Sequence, residues 1–279
     1  MTIKDMVVQV DQTAASERRL EAAVKLSRHL GAHLTAVYLA AEPFVRRVSR
    51  LHLPDELVRE YRRQAEAEAD TVLSHVRRMV GAEVSVDAVM EIGPLDRLPV
   101  LFAHLARTAD LAIVGEPDRD SGGTDDAVLV EVSFMDTGRP ALVLPQAGTQ
   151  ALPPRRVLAA WNGTREASRA IHDAMPLLQG AEEVILVSAA TDKGDDRQLP
   201  QLGRAMADHL KRHGVSAKPK MVTSVGTTIA DLIRRQAAEE GADLVVMGGY
   251  GHSRLREMML GGVTRHMLER MTLPLFIAH

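Results

Sequence analysis

The sequence predicts an α/β protein built from two repeated, doubly wound domains, each a five-stranded parallel sheet flanked by helices in a Rossmann-like arrangement. Three observations carry that expectation. Short apolar runs alternate with segments of helical period along the whole chain. The same order of runs then occurs a second time. Local strings also recur in register: Asp11-Gln12-Thr13 lies against Asn162-Gly163-Thr164, residues 109–115 against 242–248, Gly93 against Gly226, and Pro140 against Pro274. The repeat sets the domains at 1–147 and 155–279, with a Gly/Pro-rich linker over 147–154.

In the first half, Met6 to Val10 reads as a strand ending at Asp11. Ser16 to Leu30 follows as a helix with Leu20, Val24 and Leu26 on its apolar stripe and Gly31 as its stop. His33 to Leu39 is the second strand. A long amphipathic helix runs from about Pro54 to Val80, with Leu57, Tyr61, Ala65, Val72, Val76 and Met79 expected to face inward. Glu83 to Met90, Leu111 to Val114 and Ala141 to Leu144 complete the strands. Helices fall from Gly93-Pro94 to Arg107 and between the last two strands.

The second half repeats the scheme. Its strands are Val157–Trp161, Val184–Ser188, Ser216–Thr223, Leu244–Met247 and Leu275–Ala278. Its helices are Arg165–Leu178, Leu199–His213, Thr228–Glu240 and Val263–Arg270. Strands alternating with helices imply parallel pairing with right-handed crossovers, hence one sheet per half. In such sheets ligands sit beyond the carboxyl ends of the strands.

Composition narrows the class. Over 279 residues, 46% are apolar and 25% charged, which suits a globular protein with a real core. A formal charge of −3 and 3% aromatics argue against nucleic acid as a partner. There is no cysteine, which removes disulfides and thiolate metal sites and fits a reducing compartment. Lys4 and Asp5 stand directly before Val7-Val8, unlike a signal peptide, and no apolar run reaches membrane-spanning length. The expectation is a cytoplasmic protein without a membrane partner.

The chemistry concentrates after the Leu244–Met247 run. Gly248 and Gly251 allow a tight turn, with positive φ available, and Gly261 and Gly262 stand just before a helix. Strand, glycine turn and helix start gather unpaired backbone N–H groups, which suits an anion, most simply phosphate. Arg254, Arg256 and Arg265 face only Glu257 between Gly248 and His266, so the charge agrees. The full spacing is Gly-x2-Gly-x9-Gly-Gly-x-Thr, much narrower than a glycine pair.

With that spacing, and over nearly its whole length, the chain resembles the universal stress protein family in its tandem two-domain form. The family's nucleotide motif, Gly-x2-Gly-x9-Gly-(Ser/Thr), falls on Gly248, Gly251, Gly261 and Gly262, continuing into Val263 and Thr264. The resemblance implies ATP or a related adenine nucleotide, with Mg2+, as ligand, and a regulatory role in the stress response. Met247, Asn162 (where the family has Asp) and Ser188-Ala189 would lie near the adenosine, and Arg254 would reach toward the phosphates. Gly262 replaces the usual hydroxyl residue, which implies weaker binding. The resemblance also implies that the last strands of the two halves pair in an internal pseudo-dimer. A further homodimer and an unknown protein partner stay open, as do slow ATP hydrolysis and a nucleotide-free scaffold.

The first half keeps Asp11, but Asp118 stands where the second motif glycine belongs. Six acidic residues between Gly115 and Glu131 oppose Arg119 alone. Such a loop repels a triphosphate, so this half is expected not to bind one. No Gly-x4-Gly-Lys motif and no serine-nucleophile elbow occurs. His209 and His213, four apart on one helix, read as solvated surface, and Trp161 as packing.

Overall fold

The computed structural model describes residues 2–42, 55–81, 84–117, 124–148, 150–191, 198–224, 226–249 and 262–279. Among them the first half carries β1 (Asp5–Val10), α1 (Ala14–Leu30), β2 (His33–Ala41), α2 (Asp55–Val80), β3 (Val86–Gly93), α3 (Leu98–Ala106), β4 (Leu111–Gly115), α4 (Thr124–Met135) and β5 (Ala141–Leu144). The second half carries β6 (Arg156–Ala160), α5 (Arg165–Asp173), α6 (Met175–Gly180), β7 (Glu183–Thr191), α7 (Leu199–Arg212), β8 (Ala217–Ser224), α8 (Ile229–Glu239), β9 (Leu244–Gly248), α9 (Gly262–Glu269) and β10 (Leu275–Ala278).

The two five-stranded sets join into one sheet, in the order β3-β2-β1-β4-β5-β10-β9-β6-β7-β8. The five parallel strands expected in each half are present, and the last strands of the halves pair as the resemblance implied, which makes the two sheets continuous. Within each half the pairing is parallel. The joint is antiparallel, with Leu275, Phe276 and Ile277 opposite Val143, Leu142 and Ala141. β5 and β10 are buried along their full length. Had either remained an edge, it would offer an apolar template for aggregation. The reversal at the joint also sends the carboxyl ends of the two halves' strands to opposite ends of the sheet.

Each face of the sheet carries a core that runs through both halves. One layer packs Leu20, Leu26, Val76, Ile171, Leu178 and Leu210 from α1, α2, α5, α6 and α7. The other packs Phe102, Phe134, Ile233 and Leu268 from α3, α4, α8 and α9. The repeat is visible in single hydrogen bonds. Asp110 Oδ2 accepts from the backbone of Lys4 and Asp5 at 2.8 and 3.1 Å, and Asp243 Oδ2 accepts from Arg155 and Arg156 at 2.9 Å each. Both acids thereby fix the start of their half's first strand.

Several boundaries differ from the sequence reading, each for a local reason. The segment read as one helix to Leu178 breaks at Ala174, because Pro176 lacks an N–H and its ring opposes the carbonyl one turn back. β3 starts at Val86, its register set by β2 through Leu34↔Val86 to Ala41↔Gly93. β7 runs on to Thr191, held by Thr191↔Ser224 on β8. Edge strand β8 accommodates Pro219 because one side of an edge needs no donor. Tyr61, expected inside, is 52% exposed. The 26-residue α2 is longer than the sheet it covers, and its burial begins near Ala65.

Phe276, fully buried, pairs with both Leu142 and Val246 at the joint. Phe276→Ala is expected to cost about 3–5 kcal/mol. Urea unfolding followed by far-UV dichroism and by fluorescence of Trp161, the single tryptophan, should give coincident curves in parent and variant. Two separated transitions in the parent would contradict a core shared by both halves.

Candidate functional site

In the second half the chain steps from β6 to β7 on one side and later returns to β9 on the other, so β6 lies at the topological switch. The crevice between the carboxyl ends of β6 and β9 is where a doubly wound sheet holds its ligand. Asn162 follows β6, Met247 and Gly248 end β9, and Gly262, Val263 and Thr264 open α9. Gly251, Arg254 and Gly261, with His252 and Arg256, lie outside the described residues. Ala189 is half-buried within β7, which ends only at Thr191, so Ser188-Ala189 is not the strand end expected from sequence.

Gly248 is glycine for a reason other than turn flexibility. Its φ is not in the left-handed range. A Cβ placed there would lie 2.5 Å from both the Ala167 amide nitrogen and the Glu166 carbonyl carbon. The missing side chain lets the end of β9 rest directly on the first turn of α5. Gly249 is held as closely from behind, where an added Cβ would stand 2.7 Å from Phe134 of α4.

The start of α5 is already satisfied. Thr164 is its N-cap and accepts from the Ala167 N–H at 3.3 Å. Asn162 Oδ1 accepts from the Thr164 N–H at 3.2 Å and from its hydroxyl at 2.8 Å. Glu166, 5% exposed, sits in the first turn and pairs with Arg165. Burial alone would raise its pKa. The hydrogen bond and charge of Arg165, the Glu166 backbone N–H and Thr164 outweigh that, holding it below the ordinary range. A carboxylate therefore takes the positive end of the α5 dipole. Gly262 is exposed there, with open space where a Cβ would point, while Thr264 is buried.

The first half has the same frame with different contents. Asp11 Oδ1 accepts from the Thr13 N–H at 2.7 Å, and Thr13 caps α1 through the Ser16 N–H at 3.1 Å. Here Arg19, 4% exposed, projects from α1 into the crevice. Its Nη2 lies 3.0 Å from Asp11 Oδ2 and 2.5 Å from Gln9 Oε1, and its Nε donates to the Gln9 carbonyl at 2.7 Å. The guanidinium fills the space beside Gly115, where a Cβ would meet it at 2.4 Å. In the repeat, Gln9, Asp11 and Arg19 correspond to Ala160, Asn162 and Ala170. The three polar groups are exchanged as a set, since an unpaired buried partner is costly.

Neither Arg19 nor Glu166 was singled out from the sequence. The signal for Arg19 was present: it stands one turn from Ser16 and Ala23 on the inward stripe of α1, where a lone charge needs an internal partner. Trp161, read as packing, is indeed 8% exposed. Its indole nitrogen and the neighbouring Ser188 hydroxyl have no hydrogen-bond partner among the described residues. Nor do three His, Asp or Glu among those residues group as metal ligands. No helix among them is long and apolar enough to cross a membrane.

Fold and crevice define a doubly wound α/β protein in tandem, with a glycine-lined strand end at the switch point of its second half. Residues 154–279 match the model of the Universal stress protein family. A universal stress protein of Methanocaldococcus jannaschii is 30% identical over 63 residues, which cover 23% of this chain and 38% of that protein. The match thus spans well under half of that relative's length. The crystal structure of a universal stress protein from Archaeoglobus fulgidus superposes with a TM-score of 0.76 at 16% identity, covering 98% of this chain and 97% of that one. A functionally unknown protein from Pseudomonas aeruginosa gives a TM-score of 0.53 at 16% identity, covering 99% and 92%. Through residues 154–279 the chain is similar to the universal stress protein family, and its first half repeats the same fold.

Arg19→Ala strands Asp11 and Gln9 and should cost about 2–4 kcal/mol, the low end reflecting the partial exposure of Asp11. Adding Asp11→Asn, which copies the second half, should return part of that loss. For Asp11, burial raises the pKa, but the Arg19 charge and the hydrogen bonds from Thr13 and Gln9 outweigh it and leave it lowered. A lowered folded pKa adds stability above the unfolded value of about 3.9. The advantage of the parent over Asp11→Asn should hold at pH 7, begin to shrink as pH falls below about 4, and be gone once pH has passed through the lowered folded pKa, measured by urea midpoints across that range. A pH-independent gap would contradict the ion pair.

Proposed function

We propose that this chain is a regulatory protein of the stress response that binds ATP or a related adenine nucleotide, with Mg2+, in its second half. The first half is its structural partner and takes no nucleotide. The observation that carries this reading is the contrast between two equivalent crevices. Arg19 fills the space beside Gly115, whereas small Ala170 and neutral Asn162 stand at the corresponding positions near Gly248. The family's glycine spacing lies in the second half alone and supports the same assignment.

On this reading the phosphates lie toward α9, whose N-terminal amides begin at Gly262, because Glu166 claims the start of α5. The base lies toward β6 and β7, near Asn162, Ala189 and Met247. Gly251, Gly261, Val263 and Thr264 complete the backbone cradle, and Arg254 adds charge at the outer phosphates. Pairing of the halves through β5 and β10 gives nucleotide occupancy a route to a protein partner.

Calorimetry of the full chain with ATP and Mg2+ should show one nucleotide per chain. ATP at a hundred times its Kd should add about 2.7 kcal/mol of stability. Gly262→Ser restores a hydroxyl where a side chain has room and glycine freedom is not used. It should tighten ATP binding by about 2- to 10-fold, the equivalent of one neutral hydrogen bond. Arg254→Ala should weaken ATP more than adenosine. No heat and no thermal shift at millimolar ATP would leave a scaffold acting through protein contacts, and two nucleotides per chain would refute the assignment of the first half.

A further inference from the structure

A cluster of imidazoles joins α5 to α7 on the outside of the second half. His172 Nε2 and His209 Nε2 face each other at 3.1 Å across the two helices. His213, one turn beyond His209, lies against it with ring centroids 4.6 Å apart. His172 and His213 are exposed and His209 is half-buried.

The tautomers follow from the partners. His172 Nδ1 is 2.7 Å from the Ser168 carbonyl, which can only accept, so this nitrogen carries the proton. The Ser168 hydroxyl lies near the same atom at 3.4 Å. Neutral His172 therefore presents an Nε2 lone pair outward, and His209 Nε2–H donates into it. A ring nitrogen oriented by an Nδ1–H···O=C bond is the arrangement that metal-bound histidines use.

We propose that His172 and His209 form a two-imidazole clamp for a borderline divalent transition ion, Zn2+ or Ni2+ in class, bridging α5 and α7. With metal–nitrogen bonds of about 2.0–2.1 Å, a separation of 3.1 Å corresponds to an N–metal–N angle of about 100°. Widening the gap by about 0.2–0.3 Å reaches the tetrahedral angle. On binding, the proton of His209 moves from Nε2 to Nδ1 and the ion takes both Nε2 lone pairs, so no net proton need be lost. Water fills the other positions, in keeping with the lack of a three-ligand group among the described residues. Burial, then the charges of His172, His213 and Arg212, lower the pKa of His209. The nearby Arg212 charge opposes the ion and sets a limit on affinity. Imidazole pairs disfavour Mg2+, so this clamp is separate from any ion that accompanies a nucleotide, and it does not depend on the nucleotide reading.

The test uses the full, tag-free chain without nucleotide, titrated with Zn2+ and with Ni2+ by calorimetry. Competition against a chromogenic chelator checks the affinity. One site is expected, weakened at least about tenfold by His172→Ala and equally by His209→Ala, with His104→Ala unchanged and Mg2+ giving no heat. Imidazole NMR signals of His172 and His209 should move together on adding Zn2+. Absence of binding, or binding indifferent to both substitutions, would overturn the clamp. So would a site lost on His213→Ala but retained in His172→Ala, because it would then belong to α7 alone.

Discussion

Three residue pairs hold the molecule in its shape: Leu275–Val143, Phe276–Leu142 and Ile277–Ala141 across the antiparallel joint. Each half would otherwise end on a short edge strand, open on one side and apolar on both faces. Pairing those strands satisfies their backbone groups and removes two aggregation-prone edges at once. Because the joint reverses strand direction, it keeps equivalent helices on the same face, which is why both core layers continue from one half into the other. It also separates the two crevices to opposite ends of the sheet.

That separation lets the halves differ without interfering. In the first, a guanidinium buried beside Gly115 satisfies Asp11 and Gln9, so the polar character of the crevice is spent internally. In the second, alanine at 160 and 170 and an amide at 162 leave nothing to neutralise. The frame around them is nevertheless the same. An Asx-type turn at Asp11 or Asn162 holds a threonine, and that threonine caps the following helix. The frame is set by backbone needs that both halves share, while the contents follow charge pairing, which changes only when all the partners change together.

The fold was readable in the sequence because its signals are local and repeated. Strand cores such as 244–247 and the repeated strings at 11–13 and 162–164 and at 109–115 and 242–248 all show locally. What escaped depends on distant partners. The extent of β3 and β7 follows their neighbours, and the overhang of α2 follows the length of the sheet beneath it. At the end of β9, Gly248 does not use the positive φ expected of it, and what matters there is the missing Cβ. The glycine there answers a contact with α5, not a left-handed turn, and that contact is made by a segment some eighty residues earlier.

The back of the glycine stretch adds a last constraint. Gly249 donates its N–H to the Ala278 carbonyl at 2.9 Å, and its own carbonyl lies 3.1 Å from His279 Nδ1. Phe134, from the first half, leaves no room for a side chain there. Arg169 of α5 reaches the Gly138 carbonyl of the first half at 2.8 Å. The base of the second crevice is therefore wedged between its own α5 in front and the α4–β5 turn of the other half behind. A well-packed core moves in steps, not by smooth deformation. Any shift of β9 relative to α5 must thus be met by Phe134 or by the joint strands, and this makes the first half mechanically part of the second half's crevice.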